Sequence, residues 1–373
     1  WQKALRVPRV GVTDSFFDLG GHSLLAVKIV NDIERSFGLR LPLATLFECP
    51  TVELFARRLS EIRSRPAELQ TAAFTTVVPI QPHGTLPAFF CVAGVGGNPM
   101  NLRHLAQALG DDQPFYGLQF RGVDGQLSPH RRVQDMADEF LADMRRVQAQ
   151  GPYYIGGYSA GGLCAYEMAQ ILRERGEQVG LVVFFDTLSP LLPEWTFIER
   201  VDAHLQNYRQ RGLRYVQDRL LAHVRDDWER FSRSLRARLA EASPFKYRHD
   251  AVWIASEQAI GDYRPEAYQG DVLLLRADAR LSAEGGIGYR PHESNGWRDL
   301  VRGELSVVEL ACSHRDIVSE HAAALAAKAL KRALATARAR YRRPRTAGAA
   351  PGNASANVAE LHPRGARKVR LTG

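Results

Sequence analysis

The stretch Tyr153-Tyr154-Ile155-Gly156-Gly157-Tyr158-Ser159-Ala160-Gly161-Gly162 decides how the larger part of this chain folds. Tyr153 to Gly157 reads as a strand and Ala160 to Arg175 as a helix, with Gly157-x-Ser159-x-Gly161 between them. Alone, GxSxG is a weak signal. Between a strand and a helix it is the setting in which a serine stands exposed on a strained turn, with glycine where side chains would collide across it. Working outward, Pro87 to Val92 (PAFFCV) is a continuous apolar run, as expected of a strand covered on both faces. It runs into Gly94-Val95-Gly96-Gly97 and a helix ending at Gly110. Further strands are expected at Phe115 to Phe120, Leu181 to Phe185, Gly270 to Leu275 and Leu305 to Leu310, and further helices at Val133 to Val147 and about Val318 to Tyr341. This alternation predicts an α/β domain with a mostly parallel sheet and helices on both faces. The alternation breaks after Asp186. Roughly residues 188–265 read as a charged helical insertion placed where a lid would sit, with Trp195, Tyr208, Tyr215, Trp228 and Phe231 expected mainly as lid packing.

A serine at neutral pH needs a base, and the base needs an orienting acid. His314 fits the base: the apolar strand to Leu310 ends in Ala-Cys-Ser-His, late in the chain. His204, His223 and His249 lie in the charged insertion, His321 lies in the final helix, and His83 and His104 come too early for the Ser…Asp…His order. Two carboxylates end strands and could serve as the acid, Asp186 and Asp278. An oxyanion hole needs two backbone donors. One is the N–H of Ala160, directly after the serine; the other belongs to the loop after PAFFCV, at Gly94, Val95 or Gly96. That loop lacks GxxxxGK[ST], which argues against a nucleotide triphosphatase.

Residues 1–62 read as all-helical. Leu24, Leu25, Ile29, Ile33 and Phe37 form an apolar stripe with Gly38 as the C-terminal stop, and Thr51 caps a later helix with Glu53 in its first turn. The segment Phe16-Phe17-Asp18-Leu19-Gly20-Gly21-His22-Ser23-Leu24 resembles the attachment signature of peptidyl and acyl carrier proteins, and its His-Ser form looks more like a peptidyl carrier of a nonribosomal peptide synthetase. The resemblance implies 4′-phosphopantetheine attached covalently to Ser23 by a phosphopantetheinyl transferase. Residues 77–341 resemble the type I thioesterases that terminate peptide and polyketide synthases, through GVGG, GYSAGG, FFDT, Tyr263-Arg264-Pro265, Trp297 and SHRDIV. The carried-over triad is Ser159, Asp186 and His314, with Ala160 and Val95 as oxyanion donors. Where relatives often carry glycine before the histidine, this chain has Ser313.

The expected architecture is therefore a small all-α four-helix carrier domain at 1–62, truncated at its first helix, a linker at 63–76, an α/β-hydrolase at 77–341 and a disordered basic tail at 342–373. The expected function is release of an acyl or peptidyl chain delivered by upstream synthetase modules, by hydrolysis or macrocyclisation. The alternatives are transfer to an external acceptor, editing, or a carrier fused to a non-catalytic docking domain.

The bulk properties agree with that outline. The chain has 373 residues, enough for a small domain and a large one, and a hydrophobic fraction of 45%. Of the net charge of +8, six charges come from the stretch after Tyr341, which holds seven basic residues against Glu360. The rest is nearly balanced, which argues against nucleic acid as a partner. Cys49, Cys91, Cys164 and Cys312 show no metal-ligand spacing and read as buried thiols. With no signal peptide and no membrane-length apolar run, the expected compartment is the cytoplasm. Opening at Trp1 rather than Met, the chain reads as a piece of something longer.

Overall fold

The computed structural model describes residues 1–21, 23–39, 41, 45–64, 74–124, 127–192, 244–278, 292–342 and 368–371, with isolated positions between 205 and 232. The N-terminal unit is helical: α1 (Gln2–Leu5), α2 (Ser23–Phe37), α3 (Thr45–Glu48) and α4 (Val52–Arg63). In α2 the buried residues Ala26, Ile29, Val30 and Ile33 recur at the three- and four-residue spacing of one helix face. Gly38 ends the helix at φ 69°, with its N–H on the Glu34 carbonyl at 2.8 Å. Thr51 caps α4 by accepting from the Leu54 amide at 3.2 Å. Buried Phe16 meets Trp1 edge-on at 5.6 Å, and Phe17 stacks on Phe47 at 5.0 Å.

The larger unit is built on β1 (Val77–Gln81), β2 (Phe89–Val92), β3 (Phe115–Leu118), β4 (Tyr153–Tyr158), β5 (Val179–Phe185), β6 (Val272–Ala277), β7 (Leu305–Leu310) and β8 (Lys368–Leu371). Their order is β1-β3-β2-β4-β5-β6-β7-β8, with β1 antiparallel to β3 and every other pairing parallel. The connecting helices are α5 (Arg103–Ala108), α6 (Val133–Val147), α7 (Gly161–Glu174), α8 (Pro244–Asp262) and α9 (Glu320–Arg342). Alternate strand residues face opposite layers. Phe90, Val92, Ile155 and Phe184 pack with α6, α7 and α8, while Phe89, Cys91, Val183 and Phe185 pack with α5 and α9. The strand residues are buried on both faces of the sheet, which is why these strands read as unbroken apolar runs.

Four details differ from the sequence reading. The strand at Phe115 stops at Leu118 because the chain then bends, the Phe120 amide donating to the Gly97 carbonyl at 3.0 Å. Cys49 is half-buried, unlike Cys91, Cys164 and Cys312, because α3 and α4 leave it at the edge of the small unit. In the insertion, Trp195 and Tyr215 lie outside the described residues, while Trp228 and Phe231 are exposed and face each other at 6.1 Å rather than packing inward. By contrast the second half of α8, through Val252, Ala255, Ser256 and Ala259, is buried and belongs to the core of the larger unit. Finally, the expected disordered tail is corrected at its end. Lys368–Leu371 adds a parallel strand to β7, whose outer backbone groups would otherwise form an open sheet edge; residues 343–367 lie outside the described residues.

Helix α7, which starts at the serine turn, is tied to the end of α8 by the Tyr263 hydroxyl, donating to Glu167 Oε2 at 2.7 Å. Burial raises the Glu167 pKa above its ordinary 4.5, with the Tyr263 hydrogen bond opposing that shift. A carboxyl whose folded pKa is raised holds its proton longer when folded, so it takes stability away as the pH rises above the ordinary value. Glu167→Gln keeps an oxygen acceptor for Tyr263 and removes the charge. It is expected to raise the thermal midpoint at pH 7, with the gain shrinking toward zero below pH 4, as a pH series of unfolding scans would show.

Candidate active site

Strand β4 delivers Ser159 at its C-terminal end, in left-handed backbone at φ 52°. A non-glycine residue held there costs about 1–3 kcal/mol and needs neighbours that enforce it. A Cβ on Gly157 would collide with the backbone of Gly161, and one on Gly161 with the carbonyls of Ala93 and Val92. Only glycine lets the turn close this tightly. The Ser159 amide donates to the Phe185 carbonyl at 2.9 Å, while its carbonyl accepts from Thr187 Oγ1 at 2.8 Å and from the Gly162 amide at 3.1 Å.

Asp186 follows β5 with the same left-handed φ of 52° and is buried. Its Oδ1 accepts from the Ala277 amide and from Asn295 Nδ2, both at 3.1 Å. That leaves Oδ2 for His314 Nδ1, at 2.7 Å. The imidazole reaches Ser159 Oγ through Nε2 at 3.1 Å. With Nδ1 donating to a carboxylate, Nε2 is left as the acceptor for the serine proton. The Tyr158 ring stacks on the imidazole, centroids 5.4 Å apart, and the Tyr158 hydroxyl donates to the His314 carbonyl at 3.2 Å. Ser313, directly before the histidine, donates through its hydroxyl to Asp316 Oδ2 at 2.6 Å and so closes the turn that carries His314.

Ser159, Asp186 and His314 are thus brought into one chain of hydrogen-bonded atoms. Asp278 is not the carboxylate on His314; its amide instead joins the strand ends, donating to the carbonyls of Leu310 and Cys312. Ala160 stands at the N-cap of α7, where an amide has no carbonyl one turn earlier to bond. Val95 lies half-buried in the turn closed by the Gly97 amide on the Gly94 carbonyl at 2.9 Å. Buried Cys312, two residues before His314, has its thiol pKa pushed up to about 12, by burial first and then by the charges of Asp186, Asp316 and Asp278. It stays a neutral thiol at pH 7 and does not compete as a nucleophile. Among the described residues no cluster of acid, histidine and cysteine side chains could hold a metal ion, and no helix is long and apolar enough to cross a membrane.

Two residues of the site escaped the sequence reading. Thr187 holds the serine turn, and its carbonyl accepts from the Trp297 indole N–H at 2.9 Å. Asn295, buried at φ 46°, donates to both Asp186 and the Thr187 carbonyl. The available signal was the Asn-Gly pair inside His292-Glu293-Ser294-Asn295-Gly296-Trp297, which marks a turn with left-handed backbone.

In the small unit, Ser23 is the first residue of α2; His22 lies outside the described residues. Gly20 has φ 85°, and a Cβ on Gly21 would strike the Phe16 carbonyl, so the turn into Ser23 needs both glycines. Ser23 opens a long helix, and the first-turn amides of a helix, with the positive end of its dipole, suit a phosphodiester. The residues present therefore fit a phosphopantetheine group linked through Ser23.

Comparison with known proteins agrees with this division. A thioesterase domain model matches residues 87–332, and a phosphopantetheine attachment site model matches residues 1–59. The chain is 31% identical over 325 residues to a dimodular nonribosomal peptide synthase of Bacillus subtilis (strain 168), covering 85% of this chain and 13% of that protein. It is 34% identical over 316 residues to malpinin synthetase of Mortierella alpina, covering 84% and 4%. The chain therefore spans only a small part of these relatives' length. Among solved structures, the four-domain nonribosomal peptide synthetase AB3403, in its holo form bound to AMP and glycine, aligns over 89% of this chain and 25% of that one, at 27% identity and a TM-score of 0.54.

Asn295→Ala leaves Asp186 Oδ1 with one donor fewer. A hydrogen bond to a charged group contributes about 1.5–3 kcal/mol. The turnover number for a thioester substrate is expected to fall at least about tenfold with KM unchanged, as steady-state kinetics would record.

Proposed function

This chain belongs to the thioesterase domain family, and we propose that it ends a nonribosomal peptide or polyketide assembly line by taking the finished acyl or peptidyl chain off its own N-terminal carrier domain. The observation that carries this reading is the continuous contact from Ser159 Oγ through His314 to the anchored Asp186, at 3.1 and 2.7 Å, in one chain with a phosphopantetheine attachment domain. The attachment domain calls for a phosphopantetheinyl transferase as one partner and for upstream modules that deliver the growing chain as others. When bound at Ser23, the group supplies a thiol that carries the acyl chain as a thioester.

The residues then divide the work as follows. His314 Nε2 takes the Ser159 hydroxyl proton as Oγ bonds to the thioester carbonyl carbon. Asp186 steadies the imidazolium that forms. The amides of Ala160 and Val95 receive the negative charge that develops on the carbonyl oxygen. As the carbon–sulfur bond breaks, His314 hands its proton to the departing sulfur, leaving the acyl group as an ester on Ser159. A second nucleophile, water or an amine or hydroxyl within the acyl chain, loses its proton to His314 and attacks that ester. Ser159 regains the proton and the product leaves as a free acid or a ring. A purely docking role has no use for a hydrogen-bonded triad at a strained serine, and the geometry supports catalysis over it.

The test is peptide-mapping mass spectrometry on the full chain, loaded at Ser23 by a transferase with an acyl-pantetheine. Acyl is expected first on the Ser23 peptide, then on the Ser159 peptide, then in solution. Ser159→Ala is expected to hold it on Ser23 and slow release at least about a thousandfold. Release at an unchanged rate from Ser159→Ala would overturn the proposal.

A further inference from the structure

The segment leaving the Val95 turn also reaches the carrier. Met100, in the short 3-10 turn Pro99–Leu102, is buried in the apolar cluster made by carrier residues such as Phe16, Phe17, Ile29 and Leu46. Arg103, at the start of α5, lays its guanidinium over the Phe17 ring, 4.8 Å from the centroid, and brings Nη1 to 3.8 Å from Asp18 Oδ1. The Arg103 side chain is 18% exposed and the Asp18 side chain 77%. The carboxylate of this pair is therefore well solvated and its attraction weak. The ring contact works differently: a cation placed on an aromatic face, partly out of water, is held more firmly than an exposed pair, and only a planar guanidinium stacks there. Burial lowers the Arg103 pKa, opposed by the charges of Asp18 and of Glu320, the first residue of α9 beyond the His314 loop. Arg103 thus stands where the carrier, the Val95 segment and the helix behind His314 meet.

The position of the carrier contact gives it meaning. Phe17 and Asp18 are separated only by Leu19 from the Gly20-Gly21 turn that opens into Ser23. A contact there holds the attachment turn itself, rather than the far side of the carrier, against the hydrolase. We propose that Arg103, backed by Met100, is the specificity-determining residue by which this thioesterase recognises its own carrier, reading the Phe17-Asp18 pair beside the attachment serine. The docking part stands on the contacts alone; its consequence for turnover rests on the chain-release reading above.

The test compares two substrates on the full chain: the acyl group borne on Ser23, and the same acyl group as a free N-acetylcysteamine thioester, which needs no carrier. In Arg103→Glu the ratio of the Ser23-borne rate to the free-thioester rate is expected to fall at least about tenfold. Asp18→Arg, made on the carrier and outside the hydrolase fold, should lower the same ratio. Combining the two should recover part of it by restoring an opposite-charge pair. A ratio that stays put, either because neither rate moves or because both fall together, overturns the proposal. Hydrogen exchange of residues 15–21 supplies a readout independent of turnover: faster exchange in Arg103→Glu, with the rest of α2 and α4 unchanged, is expected, and unchanged exchange there counts against docking. Were the parent chain to move no acyl from Ser23 to Ser159, the chain-release reading would fall while the exchange data still decided the contact.

Discussion

Ser159 is held in left-handed backbone, and the rest of the hydrolase unit can be understood as what enforces it. The residues before Ser159 and Asp186, Tyr158 and Phe185, are register partners on β4 and β5. Both chains then turn with the same φ of 52°. The ladder runs on past the strands, with the Ser159 amide on the Phe185 carbonyl and the Asp186 amide on the Leu275 carbonyl. Nucleophile and acid therefore emerge side by side at the same end of a single sheet buried on both faces, and β7 brings His314 to them from beyond β6. A parallel sheet sets this geometry through backbone pairing alone, which explains why glycine is needed at 157 and 161 and why Thr187 clamps the serine carbonyl.

Much of this was legible in the sequence. The strand–turn–helix around Ser159 carries its own periodicity change, and His314 sits on a loop after an apolar strand. The helices of residues 1–62 announced themselves through a helical stripe and a glycine stop. Other features depend on which strands become neighbours. Asp186 and Asp278 look alike in one dimension because both follow apolar strands; only the resemblance to known thioesterases separated them before the pairing of β5 with β4 did. Asn295 is more than a hundred residues from the carboxylate it serves, and its role exists only once the turn at 292–297 folds back. The strand at Lys368 falls in a tail, 342–373, whose Ala-, Gly-, Pro- and Asn-rich composition reads as disorder; its four residues pair because β7 offers an edge.

The two units meet directly. One segment, from Gly94 to Arg103, carries the amide assigned to the oxyanion hole at one end and the carrier contact at the other. Phe17 read naturally as a core aromatic of the small domain, and it is one on the face that meets Phe47. The same ring also takes the Arg103 guanidinium, 4.8 Å from its centroid. A ring that serves two contacts at once is invisible to sequence reading, since each use demands only that the residue be aromatic.

The central claim is that the strained serine, its base and two backbone amides form one preorganised site for a developing oxyanion. A crystal structure of the full chain after reaction with an alkyl fluorophosphonate tests it most directly, because the phosphonyl group on the nucleophile mimics the tetrahedral intermediate. Phosphorus is expected on Ser159 Oγ, with one phosphonyl oxygen within about 3 Å of the Ala160 and Val95 amides. Phosphorus on another residue, or that oxygen turned away from both amides, would contradict it.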